Sequence, residues 1–187
     1  MSGVTESLRG RLLVAAPTLL DPNFYRTVVL LLDHDDDGAL GVILNRPSEL
    51  QLEDGLPGWE RLATAPPVVF LGGPVSPGTA ICLGRRRTET APEWFQPVLG
   101  RLGLLDPARD IEELATGVDA ARVCSGYAGW GAEQLRDELA EGAWFVLDAD
   151  EDDVTSTEPE GLWSRVLRRQ PAPVSWAANC PIDPTLN

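Results

Sequence analysis

The sequence predicts a mixed α/β domain of the α+β kind, on a sheet that is not purely parallel. Three observations lead there. Short β-branched apolar runs alternate with short amphipathic helices along the 187 residues. Two of those runs, in TVVLLLDHDDDGALGVILNRP (27–47), flank Asp37-Gly38, a hairpin signal that requires an antiparallel pair. No linker, repeat or heptad divides the chain, so one domain over 1–187 is expected, with residues 1–7 flexible ahead of the first element.

Each element has a local reason. RLLVAAP (11–17) reads as a strand stopped by Pro17, and DPNFYR (21–26) as a turn or short helical start with Asp21 as cap and Pro22 behind it. The two runs of the hairpin are apolar at nearly every position, which predicts strands covered on both faces. A short helix is expected from Pro57, with Trp59, Leu62 and Ala63 on one side. PPVVFLGGPV (66–75) and TAICLG (79–84) are strands. PARDIEELATG (107–117) is a helix with capping-box spacing at Asp110 and Glu113 and Gly117 at its end. VDAARVCSGYAGW (118–130) is a strand expected to end at Ser125 and turn into the helix AEQLRDELAEG (132–142), which buries Leu135 and Leu139. AWFVLD (143–148) is a buried strand and 148–160 an acidic loop. Thr157-x-x-Glu160 has the spacing of a capping box for a last helix carrying Leu162, Trp163, Val166 and Leu167.

Composition excludes several chemistries. Asp and Glu number 29 against 15 basic residues, a net charge of −14 that repels phosphate backbones unless the cations cluster. Every basic residue is Arg, which removes Schiff-base lysines and the lysine of a P-loop. Cys82, Cys124 and Cys180 are odd in number and widely spaced, so neither a disulfide framework nor a zinc knuckle is indicated. The N-terminus lacks a signal-peptide core, and no apolar run can span a bilayer; a cytoplasmic protein with reduced thiols is expected. Asp33, Asp35, Asp37 and Gly38 fit the first positions of an EF-hand loop, but the position that should supply a bidentate carboxylate is Leu44, and the reading is a polar hairpin tip. No metal and no cofactor is expected.

His34, the only histidine, lies in that charged turn, a poor place for an oriented base. Cys124-Ser125 offers either a nucleophile near the glycine motif or a core cysteine. GYAGWG (126–131) lacks the dinucleotide spacing; its glycines either free backbone N–H groups for a weakly held anion or serve a tight turn, with positive φ expected at Gly126, Gly129 and Gly131. LNRP (44–47) and LGGP (71–74) are strand ends meeting proline, as suited to ligands as to turns.

Taken together, LLVAAPTLLDPNF, GALGVILNRP, LGGPV and GYAGWGAEQLRDELAEGAWF, in that order and at these separations, resemble the AlgH/YqgE family of bacterial proteins over roughly residues 8–187. The matched positions, among them Pro17, Asp21, Phe24, Gly41, Gln134, Leu135, Glu138 and Trp144, are mostly turn and packing types. The DPTLN ending and the arginine-rich composition resemble an actinobacterial member. The resemblance implies a bifurcated, mostly antiparallel sheet folded towards a pseudo-barrel and flanked by short helices. It implies a regulatory label, that of a transcriptional regulator, and no catalytic residues.

Two classes of function follow. The first is a non-enzymatic regulatory protein that binds a protein or small-molecule partner through a surface drawn from Asn45, Arg46, Pro47, Gly72, Gly73, Pro74, Gly126, Tyr127, Gly129 and Trp130. The second is an enzyme or redox protein using Cys124 or a carboxylate near the glycine motif. Direct duplex DNA binding has only Arg85-Arg86-Arg87 and the Arg165, Arg168, Arg169 cluster in its favour and is not expected, nor is membrane association.

Overall fold

The computed structural model describes residues 6–182. The flexible start expected for 1–7 falls mostly, and the DPTLN ending wholly, outside them. The first half of the chain gives β1 (Arg11–Ala15), β2 (Val28–Asp35), β3 (Gly38–Ile43), β4 (Pro47–Gln51), α1 (Leu52–Gly55), β5 (Val68–Leu71) and β6 (Val75–Arg86). The second half gives β7 (Phe95–Leu99), β8 (Leu102–Leu105), α2 (Ile111–Gly117), β9 (Val118–Gly131), α3 (Ala132–Ala140), β10 (Trp144–Asp148), α4 (Glu151–Val154) and α5 (Leu162–Arg168).

The ten strands form one curled sheet in the order β10-β1-β2-β3-β9-β6-β8-β7, with β5 and β4 branching from β9. Every strand pair is antiparallel except β5 with β9. The fork lies on β9. One edge of this strand follows β6 from Val118 to Tyr127. The other edge is divided: Cys124 and Ser125 face β5, and Ala128 to Gly131 face β3. Gly126, at φ 73°, sits at the hand-over. The strand therefore does not end at Ser125 as the glycines suggested. It bends at Gly126 and runs on to Gly131, where α3 begins at once. Gly129 and Gly131 do not have positive φ.

Three apolar clusters explain why the strands are apolar on both faces. Inside the curl, Leu12, Leu30, Phe70 and Leu83 meet Trp163, Val166 and Leu167 of α5. Outside one wing, Leu52, Trp59 and Leu114 cover Val123 and Cys82. Outside the other, Leu135 of α3 covers Trp130, Trp144 and Leu13. The curl is held partly shut by Arg9, which donates to Leu32 O at 2.9 Å and to Pro97 O at 2.6 Å, joining β2 to β7. Together these give a half-barrel with a few short helices.

Several elements depart from the expected pattern. In place of a helix from Pro57 there is one helical turn, Leu52–Gly55, and a 3-10 turn, Trp59–Arg61. The strands β7 and β8 were masked by Pro97 and Gly103, which face each other across the pair; proline is tolerated because β7 is an edge strand. The acidic stretch holds α4, whose box joins Asp150 and Asp153. Thr157 and Glu160 do not cap the last helix; a 3-10 turn from Pro159 to Gly161 intervenes, with Pro159 buried.

Candidate functional site

The three sequence-distant motifs meet at the fork of the sheet, through their backbones. Leu71 N donates to Arg46 O, Gly72 N to Ser125 O and Ile43 N to Gly72 O, each at 2.8 Å. The approach leaves no room for side chains. A Cβ on Gly72 would lie 2.2 Å from Gly126 O, and one on Gly73 2.2 Å from Tyr127 C and O. These glycines are therefore required by packing of backbone on backbone.

The side chains of the neighbouring candidates serve the same junction. Asn45 accepts from Val28 N through Oδ1 and donates to Arg26 O through Nδ2, both at 2.9 Å, pinning the start of β2. The Arg46 guanidinium donates to the carbonyls of Pro22, Asn23 and Tyr25, closing the 21–25 turn, and burial lowers its pKa against the opposing pull of Asp21. Trp130 is buried in the outer cluster, 5% exposed. Its indole N–H and that of Trp144 donate to the same Glu138 oxygen, at 2.9 and 2.8 Å, while Gln134 donates to the other. Phe24 packs on both indoles, with ring centroids 5.9 and 5.5 Å away. Tyr127 is half-buried against the inner cluster, and Pro74 and Gly129 are exposed. The ten candidates are thus not one lining: Trp130 faces a different cluster from the junction of 45–47, 72–74 and 126–127.

Cys82, Cys124, His34 and Asp35 are engaged by the fold. Cys124 is fully buried, and burial pushes its thiol up to about 12. Cys82 is pushed up to about 12 for the same reason. His34 Nδ1 accepts from Leu8 N at 2.9 Å. Asp35 spends its carboxylate on Asp37 N and Gly38 N, as a hairpin tip does, and no group of three or more metal-type side chains converges among the described residues.

An open groove of about 580 Å³ lies beside the junction. Pro47 contributes to its lining; Ala65 and Pro66 form one wall and the stretch from Thr157 to Gly161 the other. Both walls are fastened to Arg122, a residue that sequence reading passed over. Arg122 is 2% exposed and lies with its guanidinium 4.2 Å from the Phe70 ring centroid. It donates to Thr64 O, Val154 O and Ser156 O at 3.3, 3.3 and 2.6 Å. No carboxylate pairs with it among the described residues, and burial lowers its pKa to about 10. The available signal was a charged residue inside the otherwise apolar run AARVC (120–124).

A curled, forked sheet whose fork is sealed by glycines, with a groove beside it, defines a class of small α/β domain. The chain belongs to the AlgH-like family, whose model matches residues 12–175. It is 51% identical to a UPF0301 protein of Streptomyces avermitilis over 100% of both chains. Among solved structures it is similar to protein DIP2367 from Corynebacterium diphtheriae (TM-score 0.88, 29% identity, 94% of each chain). It is also similar to the solution structure of the AlgH protein from Pseudomonas aeruginosa (TM-score 0.64, 30% identity, 86% of this chain and 87% of that one). No helix among the described residues is long and apolar enough to cross a membrane.

Proposed function

We propose that this chain is a non-enzymatic binding protein that acts on regulation indirectly, through a partner held at the groove beside the fork, in the cytoplasm. The observation that supports this most is the state of Cys124: fully buried, with a thiol whose ionisation is opposed by burial. The carboxylate bonded to Trp130 of the glycine motif, Glu138, already accepts from two indoles and one amide. Pro47 borders the larger of two open spaces beside the candidate surface, about 580 Å³ against about 250 Å³ at Trp130, and Pro74 and Gly129 are exposed.

Thiol alkylation of the folded protein tests the reading. Cys180, which is partly exposed, should label within minutes with iodoacetamide, while Cys124 and Cys82 stay unmodified until the protein unfolds. Fast labelling of Cys124 in the native state would bring the enzyme or redox reading forward instead.

A further inference from the structure

We propose that the groove beside the fork takes an extended, cationic segment of a protein partner, laid alongside β4. This rests on the reading of the chain as a partner-binding protein and names the partner's chemistry.

Three features carry it. The first is charge. Glu158 and Glu160 both line the groove and are exposed, and neither enters an ion pair among the described residues. No cationic side chain is part of the lining with them; Arg165, whose guanidinium donates to Glu158 O and Ser156 Oγ, stands beside it. The molecule's net charge of −14 adds a long-range field of the same sign, which draws cations and repels acidic segments. The second is an open backbone edge. Among the described residues β4 pairs only with β5; Pro47, its first residue, is part of the groove lining but has no N–H, and Leu50 N is taken by Ser48 Oγ, so a docked segment would bond the remaining amides and carbonyls of this edge. An extended segment can therefore add to β4 while its alternate side chains reach the groove. The third is rigidity. Arg122 holds Thr64 O, one residue before the Ala65-Pro66 wall, and Ser156 O, one residue before the Thr157–Gly161 wall. Prolines 47, 66 and 159 stiffen the lining further. A preformed groove avoids the ordering entropy that weakens segment binding. The remaining lining, Ala65, Thr157 and Gly161, is small, which suits a segment of backbone width rather than a bulky anchor.

The test uses the whole chain and a fluorescein-labelled octapeptide alternating arginine and valine, followed by anisotropy. Counterparts with glutamine or glutamate in place of arginine serve as controls. The arginine peptide should bind, the glutamine peptide should bind at least about tenfold more weakly, and the glutamate peptide not at all. Glu158→Gln with Glu160→Gln should reduce affinity for the arginine peptide about tenfold or more, and Thr157→Trp should block it by filling the groove. Asp137→Asn with Glu141→Gln, an equal change of charge at the C-terminal end of α3, should leave binding unchanged.

Equal losses in the two charge-matched variants would overturn the proposal, since the binding would then reflect overall acidity. Binding of arginine and glutamine peptides alike, blocked by Thr157→Trp, would overturn the cationic partner and leave the partner-binding reading intact. No binding by any of the peptides would also sink the proposal; the thiol experiment, which does not involve the groove, would still decide the wider reading.

Discussion

At the scale of single residues, two glycines of one motif should behave oppositely. Gly126 has φ 73°, and a Cβ there would lie 2.6 Å from Gly73 O and 2.9 Å from Val75 O. Gly126→Ala combines left-handed strain with a backbone clash and should cost at least about 2 kcal/mol in urea unfolding. Gly129 has ordinary φ, and a Cβ there would meet nothing closer than 3.9 Å. Gly129→Ala should be neutral or stabilise by about 0.5 kcal/mol by restricting the unfolded chain. Equal losses at both positions would contradict the assignment of Gly126 as the bend. The buried thiols make a second residue-level prediction. Cys82 and Cys124 move from 9.0 to about 12, so the folded state keeps protons that the unfolded state releases. Their contribution is fully present below pH 9 and is lost as pH rises from 9 towards 12. By pH 10 the pair should have withdrawn stability on the order of 1–3 kcal/mol. Arg122 acts with the opposite sign, because its pKa is lowered to about 10 and its burial penalty is relieved only above that. Urea midpoints between pH 8 and 10 therefore isolate the thiols, and Cys124→Ala should flatten the slope there.

At the scale of elements, the interaction that orients α3 is a shared carboxylate. Glu138 receives the indole N–H groups of Trp130 on β9 and Trp144 on β10, so one side chain fixes a helix across two strands. Glu138→Leu would leave two buried donors unpaired and should cost about 2–4 kcal/mol, whereas Glu138→Gln keeps one acceptor oxygen and should cost less. Thermal unfolding of both variants, with tryptophan fluorescence reporting the indoles, separates them. This device shows how far sequence reading reaches. The amphipathic spacing of Leu135 and Leu139 was enough to place α3, and Asp37-Gly38 enough to place the hairpin, because both rest on neighbours in the chain. The partners of Glu138 lie six and eight residues away on two different strands, and those of Arg122 are 32 to 58 residues away, so neither arrangement leaves a local pattern. The glycine motif misled for a related reason. Gly72 and Gly73 make the junction tight from another strand, and φ at Gly129 never needed to change. The grouping of 45–47 with 72–74 and 126–127 was thus legible as a list, while Trp130's separate location and the groove at Pro47 were not.

At the scale of the molecule, charge and connectivity set the behaviour. Within the arginine clusters, Arg85 pairs with Asp119 and Asp152, Arg169 with Asp150 and Asp153, and Arg165 donates to Ser156 Oγ and Glu158 O, while Arg86, Arg87 and Arg168 enter no ion pair among the described residues. The isolated protein should therefore show no shift of duplex DNA at ~150 mM salt, and a sub-micromolar shift would contradict this. Protein purified without chelators should carry no stoichiometric zinc or calcium by elemental analysis. The division of β9's edge between β3 and β5 has a consequence for how the molecule comes apart. A strand that is hydrogen-bonded into both branches of a sheet cannot be released by either branch alone. The two halves must then melt as a single cooperative unit, and the amides around Gly126 should exchange with deuterium only through global opening, at a rate set by the full unfolding free energy rather than by local fraying.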